Sequence, residues 1–108
     1  ECARVVRAIE RAGVPPGRIR TWDGAFAPFA ASIAASSLYV GYDSAGQHVA
    51  AACGVPLVSV FAGFVTPRFF SRWQPTGPGP KQVVRVDRPD PSEVLERTLR
   101  ALDSLNLR

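Results

Sequence analysis

The 108-residue sequence predicts an α/β domain in which helices cover both faces of a parallel sheet. Two observations lead to this class. Segments with helical apolar periodicity alternate with short β-type segments along the chain. One short segment, residues 57–61, is almost continuously apolar, which is typical of a parallel strand buried on both faces. Because helices separate the strands, crossover connections should make the sheet parallel.

The predicted elements keep this alternation from end to end. In chain order they are a helix over 2–12, a strand over 18–22, a helix over 26–35, a strand over 38–42, a helix from 44 through 53, a strand over 57–61, a loop over 62–80, a strand over 82–86 and a final helix opening at 90–91. We expect the first helix to carry Val5, Val6 and Ile9 on one apolar face.

Turn and capping residues set the element boundaries. Gly13 ends the first helix, and Gly54 caps the third helix at its C-terminus. Asp90 is the predicted N-cap of the final helix, with Pro91 in the first turn and Glu93 as the reciprocal acid. This helix is expected to direct three leucines inward: Leu95, Leu99 and Leu102.

The composition limits the partners. The net charge of +4 suits an anionic ligand. The basic residues are spread along the chain and form no nucleic-acid motif with aromatics, so we expect no nucleic-acid partner. Cys2 and Cys53 match no zinc or redox motif, no metal-ligand cluster is visible, and we expect no metal and no cofactor. The simplest location is the cytoplasm, at most at the inner face of the membrane.

The segment from Tyr39 to His48 carries the chemistry. It runs from a strand into a helix through small residues, so backbone N–H groups at the helix start lack partners and attract an anion, usually a phosphate. Ser44 adds a hydroxyl donor, and His48 lies about one turn further on. An alternative stays open, in which Asp43 and Ser44 only cap their own helix and His48 only packs.

Other kinds of site fit this segment less well. The glycines and lysine of a P-loop or a dinucleotide fingerprint are absent. No nucleophile elbow surrounds Ser44, so a serine hydrolase is disfavoured. In the loop over 62–80, the guanidinium groups of Arg68 and Arg72 are candidates for anion contact. Phe70 and Trp73 of the same loop either line the ligand site or cap the edge of the sheet, and we expect the second.

Several motifs agree in order and spacing with one family. They are Asp43 and Ser44 with His48 four residues after Ser44, three alanines at 50–52, Gly-Val-Pro at 54–56, the buried strand at 57–61, and then Gly63, Thr66, Pro67, Trp73 and Pro-Thr-Gly at 75–77. Over residues 21–77 the sequence resembles the C-terminal domain of ADP-heptose:lipopolysaccharide heptosyltransferases and their relatives in glycosyltransferase family nine.

This resemblance implies a Rossmann-like fold that forms one half of a GT-B enzyme and binds a nucleotide diphosphate sugar, such as an ADP-sugar. It assigns the diphosphate to the start of the third helix, through five residues: Asp43, Ser44, the backbone of Ala45 and Gly46, and His48. It also points to Asp23 and Gly24 near the base and to Glu1 near the ribose.

The sequence departs from the family pattern in two places. Ala45 stands where the family has glycine, which would make any need for a positive φ harder to meet. Residues 62–66 do not form the usual Gly-Pro-Thr loop, so the resemblance does not fix the sugar as heptose.

The resemblance also implies a division of labour. Residues 1–108 would form the C-terminal nucleotide-sugar-binding domain, while the acceptor site and catalytic base belong to an N-terminal domain upstream of Glu1. We therefore expect donor binding without a catalytic residue on this chain, and a glycolipid or polysaccharide acceptor. The alternative is a non-catalytic nucleotide-binding or protein-interaction module of the same fold. A related epimerase is disfavoured because its second Gly and Glu are absent after Ser44.

Overall fold

The computed structural model describes residues 1–42, 44–63, 67–88 and 90–105. These residues form five helices and three strands, which are α1 (Cys2–Arg11), α2 (Phe26–Ala34), β1 (Tyr39–Tyr42), α3 (Ala45–Ala52), β2 (Leu57–Ala62), α4 (Pro67–Trp73), β3 (Lys81–Val86) and α5 (Pro91–Leu105). The three strands form one parallel sheet in the order β1-β2-β3, with helices on both faces. The predicted fold class is confirmed.

The central strand, β2, is buried on both faces, as its apolar sequence predicts. Its register aligns Leu57 with Tyr39 of β1 and with Lys81 of β3. Alternate side chains enter two different cores, since Leu57 packs under α3 while Val58 packs under α5. The two faces of β2 therefore contribute to two separate cores, one under α3 and one under α5.

One face of the sheet is covered by α2 and α3. Its core contains Ile33 from α2, Ala50 and Ala51 from α3, and Leu57 from β2, all buried. Alanine allows α3 to approach the strands closely. The loop over 74–80 closes the end of this face: a Cβ atom at Gly77 would lie 1.9 Å from the carbonyl oxygen of Ala51. Only glycine fits this contact between backbones.

The other face is covered by α5. Asp90 caps this helix as predicted, because its Oδ1 accepts a hydrogen bond of 3.1 Å from the backbone N–H of Ser92. Glu93 does not complete the capping box in this arrangement, since its carboxylate lies 3.6 Å from the guanidinium of Arg97. The helix thus begins where the sequence places it.

The prediction that Leu95 and Leu99 point inward is wrong. Both are exposed, whereas Ala101 is buried and Leu102 packs against the core as expected. The apolar residues of α5 form one broad face, and the packing of the helix on β2 and β3 decides which part of that face is covered. Leu95 lines an open groove, here called the β1 groove, whose residues are Val40, Gly41, Tyr42, Val60, Ala62, Pro91, Val94, Leu95 and Thr98.

The predicted strand over 18–22 does not form. Residues 19–23 have no regular structure in the part of the chain that is described, and Trp22 is half exposed. A β-type sequence becomes a strand only when a neighbouring strand satisfies its backbone, and this segment pairs with none of the three. The first helix, α1, forms as predicted, but it buries none of its residues.

A short helix, α4, lies inside the segment predicted as a loop. Its Phe70 ring packs edge-on against Phe61 of β2, with the ring centroids 5.0 Å apart. The guanidinium of Arg85 lies over the same ring, 4.8 Å from the centroid. Phe70 therefore caps the end of the sheet as expected. Trp73 does not, because it is 51% exposed at the other end of α4.

Candidate functional site

The candidate site lies where β1 leads into α3. Ser44 is the N-cap of α3 and has extended backbone angles, φ −136° and ψ 178°. Its backbone N–H donates to the carbonyl of Tyr42, the last residue of β1, at 2.8 Å. The junction lies at the carboxyl end of a parallel strand, the edge of the sheet at which ligands bind in open α/β folds.

The start of α3 keeps hydrogen-bonding capacity. The N–H of Gln47 donates to the carbonyl of Ser44 at 3.2 Å, and the hydroxyl of Ser44 makes no capping bond to the helix. Within the described residues, the N–H groups of Ala45 and Gly46 are thus left without a partner at the positive end of the helix dipole. These groups can bind an anion.

Ala45 meets the local backbone requirement despite the departure from glycine. It is the first residue of α3, so its conformation is right-handed helical, which any L-residue adopts. Ala45 is exposed at the helix start, and its methyl group faces the pocket described next. The substitution therefore adds one small group to the site and no backbone strain.

A pocket of about 390 Å³ opens at this helix start. We call it the α3 pocket, and its lining residues are Phe26, Ser44, Ala45, His48, Val49 and Trp73. His48 is half-buried and lies beside Trp73, with the two ring centroids 6.1 Å apart and the planes tilted by 54°. Phe26 and Trp73 expose about half of their surfaces. The pocket thus combines hydrogen-bond donors with aromatic surfaces.

The packing of Tyr39, and not only the approach of a ligand, requires a glycine at position 46. A Cβ atom there would lie 2.4 Å from the hydroxyl oxygen of Tyr39, and one at Gly41 would lie 2.6 Å from the same oxygen. The Tyr39 ring therefore fills the space beside both glycines and packs the helix start onto β1. The backbone N–H of Gly46 remains in the first turn of the helix.

Sequence reasoning missed Gln47, which is completely buried beneath the site. Its amide nitrogen donates to the carbonyl of Trp73 at 2.9 Å, and its amide oxygen accepts a hydrogen bond from the buried hydroxyl of Ser59. The signal was present in the sequence: Ser59 is the one polar residue in the apolar strand over 57–61. A buried hydroxyl requires a partner, and that partner is Gln47.

The other predicted site residues lie elsewhere. Glu1 caps α1, is exposed and pairs with Arg4 at 3.0 Å. Arg68 and Arg72 are exposed on α4, and Asp23 and Gly24 are exposed just before α2. None of these five lines the α3 pocket as the described residues define it. Asp43 and Thr66 lie outside the described residues.

Two further observations concern the described ranges of the chain. They contain no group of three or more His, Cys, Asp or Glu side chains arranged to hold a metal ion. None of the helices there has the length and apolar character needed to cross a membrane.

Comparison with protein families gives one match. Residues 25–97 match glycosyltransferase family 9 (heptosyltransferase). The match includes the whole sheet, α2 to α4 and every residue of the α3 pocket, whereas Glu1, Asp23 and Gly24 lie before it. Searches of curated proteins and of solved structures found no match.

Proposed function

Because the chain belongs to glycosyltransferase family 9, we propose that it binds the nucleotide diphosphate sugar from which such an enzyme transfers a sugar. The observation that carries this proposal is the start of α3, where the N–H groups of Ala45 and Gly46 face no described partner beside a pocket containing Ser44 and His48. A diphosphate has the charge and the acceptor oxygens that these donors fit.

The chemical role of the site would be to stabilise the leaving group. When a sugar is transferred, negative charge develops on the diphosphate that remains. Fixed N–H groups, the helix dipole and the donors of Ser44 and His48 would stabilise that charge without having to reorganise. Asp43, which precedes Ser44, belongs to the same proposed set. The net charge of +4 favours the approach of such a ligand.

The nucleoside would extend toward the aromatic side of the pocket. Phe26 and Trp73 offer exposed ring surfaces on which a base can stack. Asp23 and Gly24 lie a few residues before Phe26, so this side agrees with their proposed position near the base. Glu1 remains a proposed ribose contact, although its carboxylate now pairs with Arg4. Arg68 and Arg72 remain proposed anion contacts from α4.

The acceptor and the whole enzyme are part of the same proposal. We propose a glycolipid or polysaccharide acceptor bound by an N-terminal domain, with the enzyme in the cytoplasm or at the inner face of the membrane. Heptose is the sugar named in the family's description. On this division of labour, residues 1–108 bind the donor but transfer no sugar by themselves. Measurable transfer by the purified 108-residue chain would contradict the division.

Titration calorimetry with ADP and with inorganic diphosphate tests the donor site. We expect His48→Ala to weaken binding of both ligands by about 1–3 kcal/mol, the range for a hydrogen bond to a charged group. Ser44→Ala should weaken it by about 1 kcal/mol. Ser104→Ala is the matched control, since it removes an exposed hydroxyl from α5, far along the chain from the pocket. Equal affinities for the site variants and the control would refute the site.

A further inference from the structure

We propose that Gln47 is a positioning residue that fixes the tautomer of His48 and thereby selects the imidazole nitrogen that can donate to an anion. The inference deepens the proposed donor site and rests on it for its role in binding. It begins with the buried polar cluster below the α3 pocket, in which Gln47 contacts Ser59, the carbonyl of Trp73 and His48.

The surroundings of Gln47 determine which way its amide points. The Trp73 carbonyl can only accept, so the atom 2.9 Å from it must be the amide nitrogen. The amide oxygen then faces Ser59, whose hydroxyl is free to donate to it. Gln47 and Ser59 are both completely buried, where reversing the amide would place an oxygen against the carbonyl oxygen. Only one amide orientation satisfies both neighbours.

This orientation constrains His48. The amide nitrogen of Gln47 carries two protons, and one of them goes to the Trp73 carbonyl. The other is available to Nε2 of His48, which lies 3.4 Å from the amide nitrogen. An amide nitrogen has no capacity to accept, so Nε2 of His48 must be the acceptor. A neutral imidazole whose Nε2 accepts carries its proton on Nδ1. The cluster therefore selects the Nδ1–H tautomer.

The consequence for the site is a single, fixed donor. His48 lines the α3 pocket, and its Nε2 is already engaged by the buried amide. Nδ1–H is then the group that the neutral imidazole can offer to a phosphate-class anion. The Trp73 ring lies beside the imidazole, and its own backbone holds the amide, so ring and amide are held by one segment. Such preorganisation avoids reorientation when charge appears.

Nitrogen-15 NMR of the ligand-free chain tests the tautomer directly. His48 is the only histidine of the sequence, so the imidazole signals need no residue assignment. The couplings of each ring nitrogen to the two carbon-bound ring protons distinguish Nδ1 from Nε2. At a pH where the imidazole is neutral, we expect Nδ1–H in the wild type. The double variant Gln47→Leu/Ser59→Ala removes both members of the buried pair, which avoids stranding one polar group. It should return His48 to the Nε2–H form that a solvated imidazole favours.

The single variant Ser59→Ala is the matched control. It leaves the Gln47 amide oxygen without its Ser59 donor, which lowers stability, but the Trp73 carbonyl still holds the amide nitrogen in place. The variant should therefore keep the Nδ1–H tautomer. A wild-type spectrum dominated by Nε2–H would overturn the proposal, as would a double variant that retains Nδ1–H. If the double variant does not fold, the wild-type and Ser59→Ala spectra still decide between the two tautomers.

Binding of inorganic diphosphate separates this inference from the proposed function. We expect the double variant to bind diphosphate about fivefold more weakly than Ser59→Ala, the equivalent of one hydrogen bond. Equal affinities would show that the tautomer has no role in binding and would overturn that part. A wild type with Nδ1–H that binds neither diphosphate nor ADP would refute the donor site while leaving the tautomer assignment standing.

Discussion

The two faces of the sheet differ in how completely helices cover them. On the face under α2 and α3, the core residues are fully covered, and the loop at Gly77 closes the end of this face. These core residues are Ile33, Ala50, Ala51, Val55 and Leu57. On the opposite face α5 covers β2 and β3, but β1 remains open: Val40 is 45% exposed and Tyr42 is 61% exposed. The β1 groove, of about 630 Å³, lies along this uncovered flank.

The comparison shows where the molecule can support precise chemistry. The candidate site lies on the closed face, where His48 and the amides of α3 rest on a packed core and on the buried Gln47. The β1 groove has a mostly apolar lining. Its polar side-chain groups are the hydroxyls of Thr98 and of the exposed Tyr42. A surface of this composition is suited to contact with apolar partners rather than to binding a charged ligand.

The largest expected effect is on the free energy of unfolding, and it compares the same substitution, leucine to alanine, on the two faces. Leu57→Ala removes a fully buried side chain from the closed face and should lower the free energy of unfolding by about 2–5 kcal/mol. Leu95→Ala, the matched change on the open face, should cost less than about 1 kcal/mol because Leu95 is 61% exposed. Denaturant unfolding measures both. Equal losses would show that the open face is covered in solution.

A second, smaller effect concerns the closure of the α3 end. Gly77→Ala should destabilise the fold by about 1–3 kcal/mol, because the added methyl group meets the backbone of Ala51, which cannot move as a side chain would. The neighbouring Thr76 is exposed, so Thr76→Ala is a suitable control and should change stability little. Thermal unfolding of the two variants checks this. A tolerated Gly77→Ala would mean that the loop does not pack on α3.

The smallest effect on stability, within about 0.5 kcal/mol, is expected from Val40→Lys on the open flank. Its effect should appear instead in association. An edge strand with exposed apolar side chains favours pairing between chains, and a lysine suppresses such pairing. Light scattering over a concentration series should show less self-association than in the wild type. Val5→Lys, at a similarly exposed valine of α1, is the control, and an equal reduction there would point to charge alone.

Much of the candidate site could be predicted because its determinants are local. Small residues between a strand and a helix place the N–H groups of Ala45 and Gly46 in the first turn of α3, where they have no partner among the described residues. The spacing from Ser44 to His48 puts the imidazole one turn along the same helix. The burial of Gln47 and the exposure of Trp73 could not be read in this way, since both depend on how α3, β2 and α4 meet.

The sequence by itself determined seven of the eight helices and strands in the described residues. Gly54, Asp90 and the apolar run over 57–61 act through their own backbone and immediate neighbours, so their effects are visible in the sequence. Tertiary structure decided the rest. It left residues 18–22 without a strand partner, turned Leu95 and Leu99 outward, and formed α4 where only a loop was expected. Each of these outcomes depends on which part of the fold packs against the segment. The neighbouring residues in the sequence do not specify that contact.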